Sequence, residues 1–171
     1  MFPNDPEKLA HARTVLQKKA RDNARTPVQW SSQPHGGFTE PSSKPWMRIN
    51  DDYKTINVES QVGNSKSVHG FWERSIEGRK VHKDVFVYGD FKLIDEGNEK
   101  VVAYLRWSEK EMFITVLNFY GEEAEWASMG DIEVERWVAG NYGGEFPTIG
   151  ERKLRPWEGL LGICKGTPPL N

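Results

Sequence analysis

The 171 residues, of which 37% are hydrophobic and 28% charged, are enough for one domain with a sizeable core. A formal net charge of −2 gives no global basic field for nucleic acid, and the single cysteine, Cys164, excludes an internal disulfide and a Cys-based zinc site. Neither a membrane-spanning apolar run nor a signal peptide is recognisable in the sequence, so we expect a cytoplasmic protein.

The first predicted element is a helix from Pro6 to about Ala20. Asp5 can cap it, Pro6 stands at the first helical position, and Glu7 places an acid in the first turn. Apolar residues then recur at helical spacing and define one face, formed by Leu9, Ala12, Val15, Leu16 and Ala20.

Two arginines four residues apart follow this helix. Arg21 and Arg25 would share one face if the helix continued through them, and Pro27 disfavours α-conformation at Thr26. The pattern predicts a helix end that presents two guanidinium groups and leads into a loop. Two interpretations stay open for these residues: a salt-bridged helix end with a packed Trp, and a binding loop.

Residues 31–66 predict a long ordered loop, because Pro, Gly and Ser alternate there with aromatic and aliphatic side chains. A second helix is predicted from Ser67 to about Lys80. Its apolar face consists of Val68, Phe71, Trp72 and Ile76.

From Asp84 onward the apolar pattern changes from helical spacing to alternation. It predicts strands at Val85–Ile94, Lys100–Trp107, Met112–Asn118, Glu123–Ala127, Asp131–Val138, Arg152–Trp157 and Gly159–Cys164. Strands in series with short turns indicate an antiparallel sandwich or barrel. The chain therefore has two halves of different class, with the boundary near His82 to Asp84.

The residues alone identify no catalytic machinery. The four histidines have no metal-ligand spacing, and neither a Gly-rich phosphate loop nor a Gly-x-Ser-x-Gly motif is present. We interpret Cys164 as a structural cysteine, and the 25 acidic residues show no pair with separate acid and base roles.

Several stretches together resemble one enzyme family. They are, in chain order, Arg21–Trp30, Gly37-Phe38, Lys44-Pro45-Trp46, Asn50–Tyr53, Ile56–Glu59, His82–Phe91, Leu117-Asn118-Phe119 and Leu154–Gly159. They resemble the α-glucosidases, that is, the maltases and oligo-1,6-glucosidases of glycoside hydrolase family 13 in the α-amylase superfamily. The likeness covers nearly the whole chain, and it is greatest to the intracellular fungal maltases.

The resemblance implies a mixed fold. Residues 1–82 would form the end of a (β/α)₈ barrel, with a helix, a long active-site loop and the last barrel helix. Residues 83–171 would form an all-β antiparallel sandwich. Loops that follow barrel strands build the active-site face of such barrels.

The resemblance also implies site residues. Arg25 would line the glucose pocket and pair with an acid from an early barrel loop, and Arg21 would be a weaker contributor to substrate binding. It assigns no catalytic residue and no metal ligand to this chain, and it implies no cofactor.

The implied activity is retaining hydrolysis of terminal α-glucosidic bonds in maltose- or isomaltose-like oligosaccharides. None of the acids here matches the family's nucleophile or acid motif, so we expect this chain to be inactive alone and the missing barrel portion to be a partner. We expect neither nucleic acid nor membrane as a partner. A stand-alone β-sandwich module that binds carbohydrate or a protein, and a small enzyme with other acids, remain alternatives. Two questions stay open: whether the enzyme prefers α-1,4 or α-1,6 linkages, and whether it is a hydrolase or a sugar isomerase.

Overall fold

The structure, a computed structural model, describes residues 5–127 and 129–168. Its helices are α1 (Pro6–Lys19), α2 (Val68–Val81) and α3 (Lys83–Phe86). Its strands are β1 (Asp90–Ile94), β2 (Val101–Trp107), β3 (Met112–Asn118), β4 (Ala124–Glu125), β5 (Glu133–Gly140), β6 (Lys153–Leu154) and β7 (Gly159–Lys165). Among the described residues, no helix is long and apolar enough to cross a membrane.

Helix α1 begins where the sequence predicts it. The Asp5 carboxylate accepts a hydrogen bond from the backbone N–H of Lys8 at 3.1 Å, which satisfies one of the free donors of the first turn. The Lys8 ammonium lies 2.9 Å from the same carboxylate, and these contacts lower the pKa of Asp5. All residues of α1 are exposed, including Leu9, Ala12, Val15 and Leu16 of the predicted apolar face, whereas Ala20, which follows the helix, is half-buried.

Helix α2 is confirmed to within one residue of its predicted bounds. It begins after Ser67, whose hydroxyl accepts the N–H of Gly70 at 3.0 Å. A side chain at Gly70 would place its Cβ 2.4 Å from the carbonyl oxygen of Asn64, so the close approach of the two backbones requires glycine here.

The predicted strand Val85–Ile94 is wrong in its first half. The backbone N–H groups of Val85 and Phe86 both donate to the carbonyl of His82, at 3.0 and 2.9 Å, and form the short helix α3. The Phe86 ring packs against Phe113 with 4.8 Å between centroids, and Val85 is fully buried. Helical hydrogen bonds and burial of neighbouring side chains therefore prevail over the alternating pattern. Strand β1 begins only at Asp90, five residues after the predicted start at Val85.

The C-terminal strands form an antiparallel five-stranded sheet in the order β1-β2-β3-β7-β5, and β4 pairs with β6 in a separate two-stranded sheet. Every second side chain of β2 is buried, as expected for a sheet with one face on a core. This core consists of Val101, Ala103, Leu105, Trp107, Met112, Ile114, Val116, Ala124, Trp126, Ile132, Val134, Trp137, Leu154, Leu160 and Cys164. The predicted antiparallel β domain is confirmed, although β4 and β6 are only two residues long.

The chain divides into two compact units after Gly70. This division falls inside helix α2, whereas the sequence pattern predicts the boundary between residues 82 and 83. The predicted boundary separates the end of a barrel from the β domain, whereas the division after Gly70 separates two compact units. The predicted boundary therefore stays a prediction.

Candidate functional site

Arg21 and Arg25 do not continue helix α1. Ala20 has extended backbone, so α1 ends before it and Arg21–Ala24 forms a separate 3₁₀ turn. Arg25 follows this turn, and its backbone N–H donates to the carbonyl of Asp22 at 3.1 Å. The prediction that a helix end presents both guanidinium groups is therefore wrong, because the helix stops before the first of them.

Both arginine side chains are exposed. Within the described residues, neither Arg21 nor Arg25 forms an ion pair, and the next residues, Thr26 and Pro27, are partly or fully buried. The buried Pro27, two positions after Arg25, fixes its own φ and restricts the backbone of Thr26, so the chain is held next to the point from which the guanidinium projects. The predicted role of Arg25 as a sugar-binding residue, and of Arg21 as a weaker one, stays a prediction.

The loop after Arg25 is connected internally by Gln29. Its side-chain Nε2 donates to Asp52 Oδ1 at 3.0 Å and to the carbonyl of Ile56 at 2.5 Å. Its Oε1 accepts from Asn50 Nδ2 at 3.3 Å, and its backbone carbonyl accepts from the N–H of Val58 at 2.9 Å. One residue thus holds residues 50–58 to a position 21 to 29 residues earlier in the chain, which explains why the predicted loop is ordered.

A tight turn completes the loop. Trp30 N–H donates to the carbonyl of Gly36 at 2.7 Å, and Glu59 N–H donates to the carbonyl of Trp30 at 2.9 Å. Gly36 has φ +64°, which favours glycine, and a Cβ there would lie 3.4 Å from Gln29 Cα. Gln29 and Trp30, which belong to a stretch that resembles the family, therefore fix the shape of the loop.

A cleft of about 360 Å³ opens beside the 3₁₀ turn that precedes Arg25. It is lined by Asp22, Thr26, Met47, Arg48, Asn50 and Asp51. Arg48 and Asp51 form an exposed ion pair. The lining combines acids, an amide, a guanidinium and a hydroxyl, a set that can donate to and accept from the hydroxyl groups of a polar ligand.

The described residues show no group of three or more His, Cys, Asp or Glu side chains that could hold a metal ion. Cys164 is buried, and this burial raises the pKa of its thiol to about 12, so the thiol stays protonated at neutral pH. The candidate site in the described residues consists of the hydrogen-bonding and charged groups that line the cleft beside Arg25.

Sequence reasoning did not identify Gln29 as the residue that joins the loop. Its partners lie 21 to 27 positions along the chain, and hydrophobic periodicity carries no information about such pairs. Its only signal was its position directly after Thr-Pro-Val in the stretch that resembles the family.

Two family models match the chain. A model of the alpha-amylase catalytic domain matches residues 2–89, and a model of the maltogenic amylase C-terminal domain matches residues 91–159. The change from one model to the other coincides with the start of β1.

Curated relatives include both fungal and bacterial enzymes. An α-glucosidase of Schizosaccharomyces pombe is 36% identical over 91% of this chain and 27% of the relative, and one of Candida albicans is 41% identical over 75% and 21%. An oligo-1,6-glucosidase of Bacillus cereus is 39% identical over 84% of this chain and 25% of the relative. The chain thus spans about a quarter of the length of the curated relatives it matches.

Similar solved structures are sugar-converting enzymes. The trehalulose synthase of Pseudomonas mesoacidophila MX-45 has a TM-score of 0.80 and 29% identity over 96% of this chain and 30% of that one. An isomaltulose synthase mutant of Erwinia rhapontici NX5, in complex with its natural substrate sucrose, has a TM-score of 0.78 and 30% identity over 91% and 28%. The chain belongs to the alpha-amylase family, in which its curated relatives are α-glucosidases and oligo-1,6-glucosidases.

Proposed function

We propose that this chain supplies the sugar-recognising loop and the C-terminal sheet domain of an α-glucosidase. The enzyme would hydrolyse terminal α-glucosidic bonds of maltose- and isomaltose-like oligosaccharides. One observation supports this most directly: Arg25 is exposed without an ion pair in the described chain, on a loop fixed by Gln29, within the part that matches the catalytic-domain model.

The chemistry of Arg25 suits this role. A guanidinium is planar, always charged and has five N–H donors, so it can bind a carboxylate on one side and donate to a sugar hydroxyl on the other. Retaining hydrolysis also needs two carboxyl groups about 5 Å apart. We assign the nucleophile and the acid to parts of the enzyme other than these 171 residues.

The partner of this chain in the proposal is the rest of the barrel. Helices α1 and α2 expose apolar side chains, among them Leu16, Trp72 and Ile76, and exposed apolar patches are typical of surfaces that are covered by another part of a protein.

Hydrolysis is the preferred reaction, and sugar isomerisation is the alternative within the family. The support for hydrolysis is that the three curated relatives above are α-glucosidases and an oligo-1,6-glucosidase. Product analysis with sucrose and maltose distinguishes the two reactions. An isomerase converts sucrose to a different disaccharide, whereas a hydrolase releases glucose.

A maltase specificity and a cytoplasmic location are finer parts of the proposal. They are based on the resemblance to intracellular fungal maltases. Comparing kcat/KM for maltose and isomaltose tests the first, and fractionation of the source cells tests the second.

A second candidate is a stand-alone carbohydrate- or protein-binding module. The observation that favours it is the core, whose members all belong to the sheet unit. A 19.6 kDa natural polypeptide without glucosidase activity would favour this candidate.

The test of the first proposal is a pair of matched substitutions in the natural polypeptide that contains this chain. Arg25→Lys keeps the charge but loses the planar fork, and we expect kcat/KM for maltose to fall roughly tenfold or more, because a hydrogen bond to a charged group contributes about 1.5–3 kcal/mol. Arg13→Lys, at an exposed position of α1 outside the candidate site, is the control and is expected to leave kcat/KM unchanged. Wild-type kinetics for Arg25→Lys would refute the assigned role.

A further inference from the structure

Trp157 has an unusual backbone for a bulky residue. Its φ is +56°, in the left-handed region, where large side chains are rarely found. Its indole is nevertheless 61% exposed, so burial of the ring does not explain the conformation. Strained backbone of this kind persists only where surrounding contacts impose it, and it is concentrated at ligand-binding positions.

A buried ion pair holds the turn from one side. Glu158 is 1% exposed, and its carboxylate accepts from the backbone N–H of Arg155 at 2.7 Å and from the Arg155 guanidinium at 3.0 and 2.5 Å. Glu158 is the main reason that the pKa of Arg155 is raised. The pair fixes the residues on both sides of Pro156 and Trp157.

Neighbouring loops hold the remaining backbone groups of the turn. Trp157 N–H donates to the carbonyl of Tyr120 at 2.9 Å, and Asn141 Nδ2 donates to the carbonyl of Trp157 at 2.8 Å. The Tyr142 hydroxyl donates to the carbonyl of Pro156 at 2.7 Å. These hydrogen bonds connect Tyr120 and Tyr142, whose rings are exposed, to the turn that carries Trp157; we call these three residues the aromatic patch.

The aromatic patch lies at one end of the five-stranded sheet. In the strand register, Val101 pairs with Asn118 and Leu117 with Gly159 at this end. Helix α3 leads into β1 at Asp90, which lies at the opposite end of the sheet, roughly 20 Å away along β2. The chain that precedes the sheet therefore enters it at the end that lacks the patch.

The charges around the aromatic patch are already paired. Lys100, whose ammonium lies 5.8 Å from the centre of the Tyr120 ring, pairs with Glu122 at 3.3 Å. Arg155, which stacks on the Tyr142 ring at 4.0 Å, pairs with Glu145 and Glu158. A phosphorylated, acidic or strongly basic ligand would have to break these pairs, whereas a neutral ligand would not.

We propose that the aromatic patch binds a glucosyl unit of an α-glucan or malto-oligosaccharide, at a second sugar site in a different unit from Arg25. The C–H face of a pyranose is apolar and packs on an exposed indole. The choice of an α-glucoside as ligand rests on the proposed function, whereas the choice of a neutral stacking ligand rests on the geometry.

The experiment is native affinity electrophoresis of the 171-residue chain through gels that contain soluble α-glucan, with a cellulose derivative as the control polysaccharide. Trp157→Gly removes the indole and suits the positive φ. Trp72→Ala is the matched control, because Trp72 is also exposed, to 62%, but lies on α2. We expect α-glucan to retard the wild type and Trp72→Ala, and Trp157→Gly to bind roughly tenfold more weakly.

Two results would overturn the site: absence of retardation of the wild type by α-glucan, and equal retardation of the wild type and Trp157→Gly. The melting temperature of Trp157→Gly, expected at or above that of the wild type because strain is relieved, shows that the variant is folded. Should it be unfolded, Trp157→Asn, which also tolerates positive φ, replaces it with the same expected loss of binding.

The test of the aromatic patch can fail or succeed separately from the test of the proposed hydrolysis. Normal hydrolysis by Arg25→Lys together with lost α-glucan binding by Trp157→Gly would refute the role of Arg25 and support the second site. The reverse pair of results would refute the second site alone.

Discussion

Arg25 and Trp157 are both exposed side chains whose backbone is fixed by buried or hydrogen-bonded neighbours. Pro27 is buried two positions after Arg25, and the ion pair of Arg155 with the buried Glu158 joins the two ends of the turn that carries Trp157. Because the backbone is already ordered, only the rotamers of the side chain itself lose freedom on binding, which favours recognition. Both residues belong to stretches that resemble the family, yet the sequence predicts only Arg25 as a site residue.

Cys164 gives a pH-dependent prediction at the same scale. Burial raises the pKa of its thiol from 9.0 to about 12, so the unfolded chain loses this proton at lower pH than the folded chain. The corresponding stability is complete below pH 9 and is lost as the pH rises from there toward 12. We expect the denaturant midpoint of the wild type to fall more steeply over this range than that of Cys164→Ala. Parallel pH profiles of the two proteins would contradict the raised pKa.

At the scale of elements, the helices and long strands could be predicted, because one apolar face is enough to specify them. Helix α3 could not be predicted, because Val85 and Val87 alternate as in a strand. The helix is stabilised by burial of Val85 and by the packing of Phe86 on Phe113, which the local sequence does not reveal. The shape of the loop after Arg25 was equally unpredictable, since it depends on hydrogen bonds between residues far apart in sequence.

The role of Gln29 in this loop is testable. Gln29→Glu replaces the donor to Asp52 by a second carboxylate, which repels the first and leaves the Ile56 carbonyl without its partner. We expect faster amide hydrogen exchange at Val58, measured by mass spectrometry of peptides that span residues 56–62. Gln33→Glu, at an exposed position of the same loop, is the matched control. Equal exchange in the two variants would show that Gln29 does not fix the loop.

At the scale of the whole molecule, stability and recognition are unevenly distributed. The hydrophobic core belongs to the sheet unit, whereas the residues of α1 are all exposed and Arg25 lies on a loop held mainly by hydrogen bonds. The antiparallel sheet could be predicted from alternation, but the end of it that presents Trp157 could not, because a positive φ at a tryptophan has no sequence signature. The chain spans about a quarter of the length of its curated relatives, so the activity belongs to the proposal for the larger enzyme.

The most direct measurement is α-glucoside hydrolysis by the natural polypeptide, captured from its source with an antibody against residues 153–168. The intact mass of the captured polypeptide is determined by mass spectrometry. We predict release of glucose from maltose or isomaltose with retention of the α-configuration, by a polypeptide several times heavier than 19.6 kDa. A captured polypeptide of 19.6 kDa that releases no glucose from either sugar would contradict the assignment to an α-glucosidase.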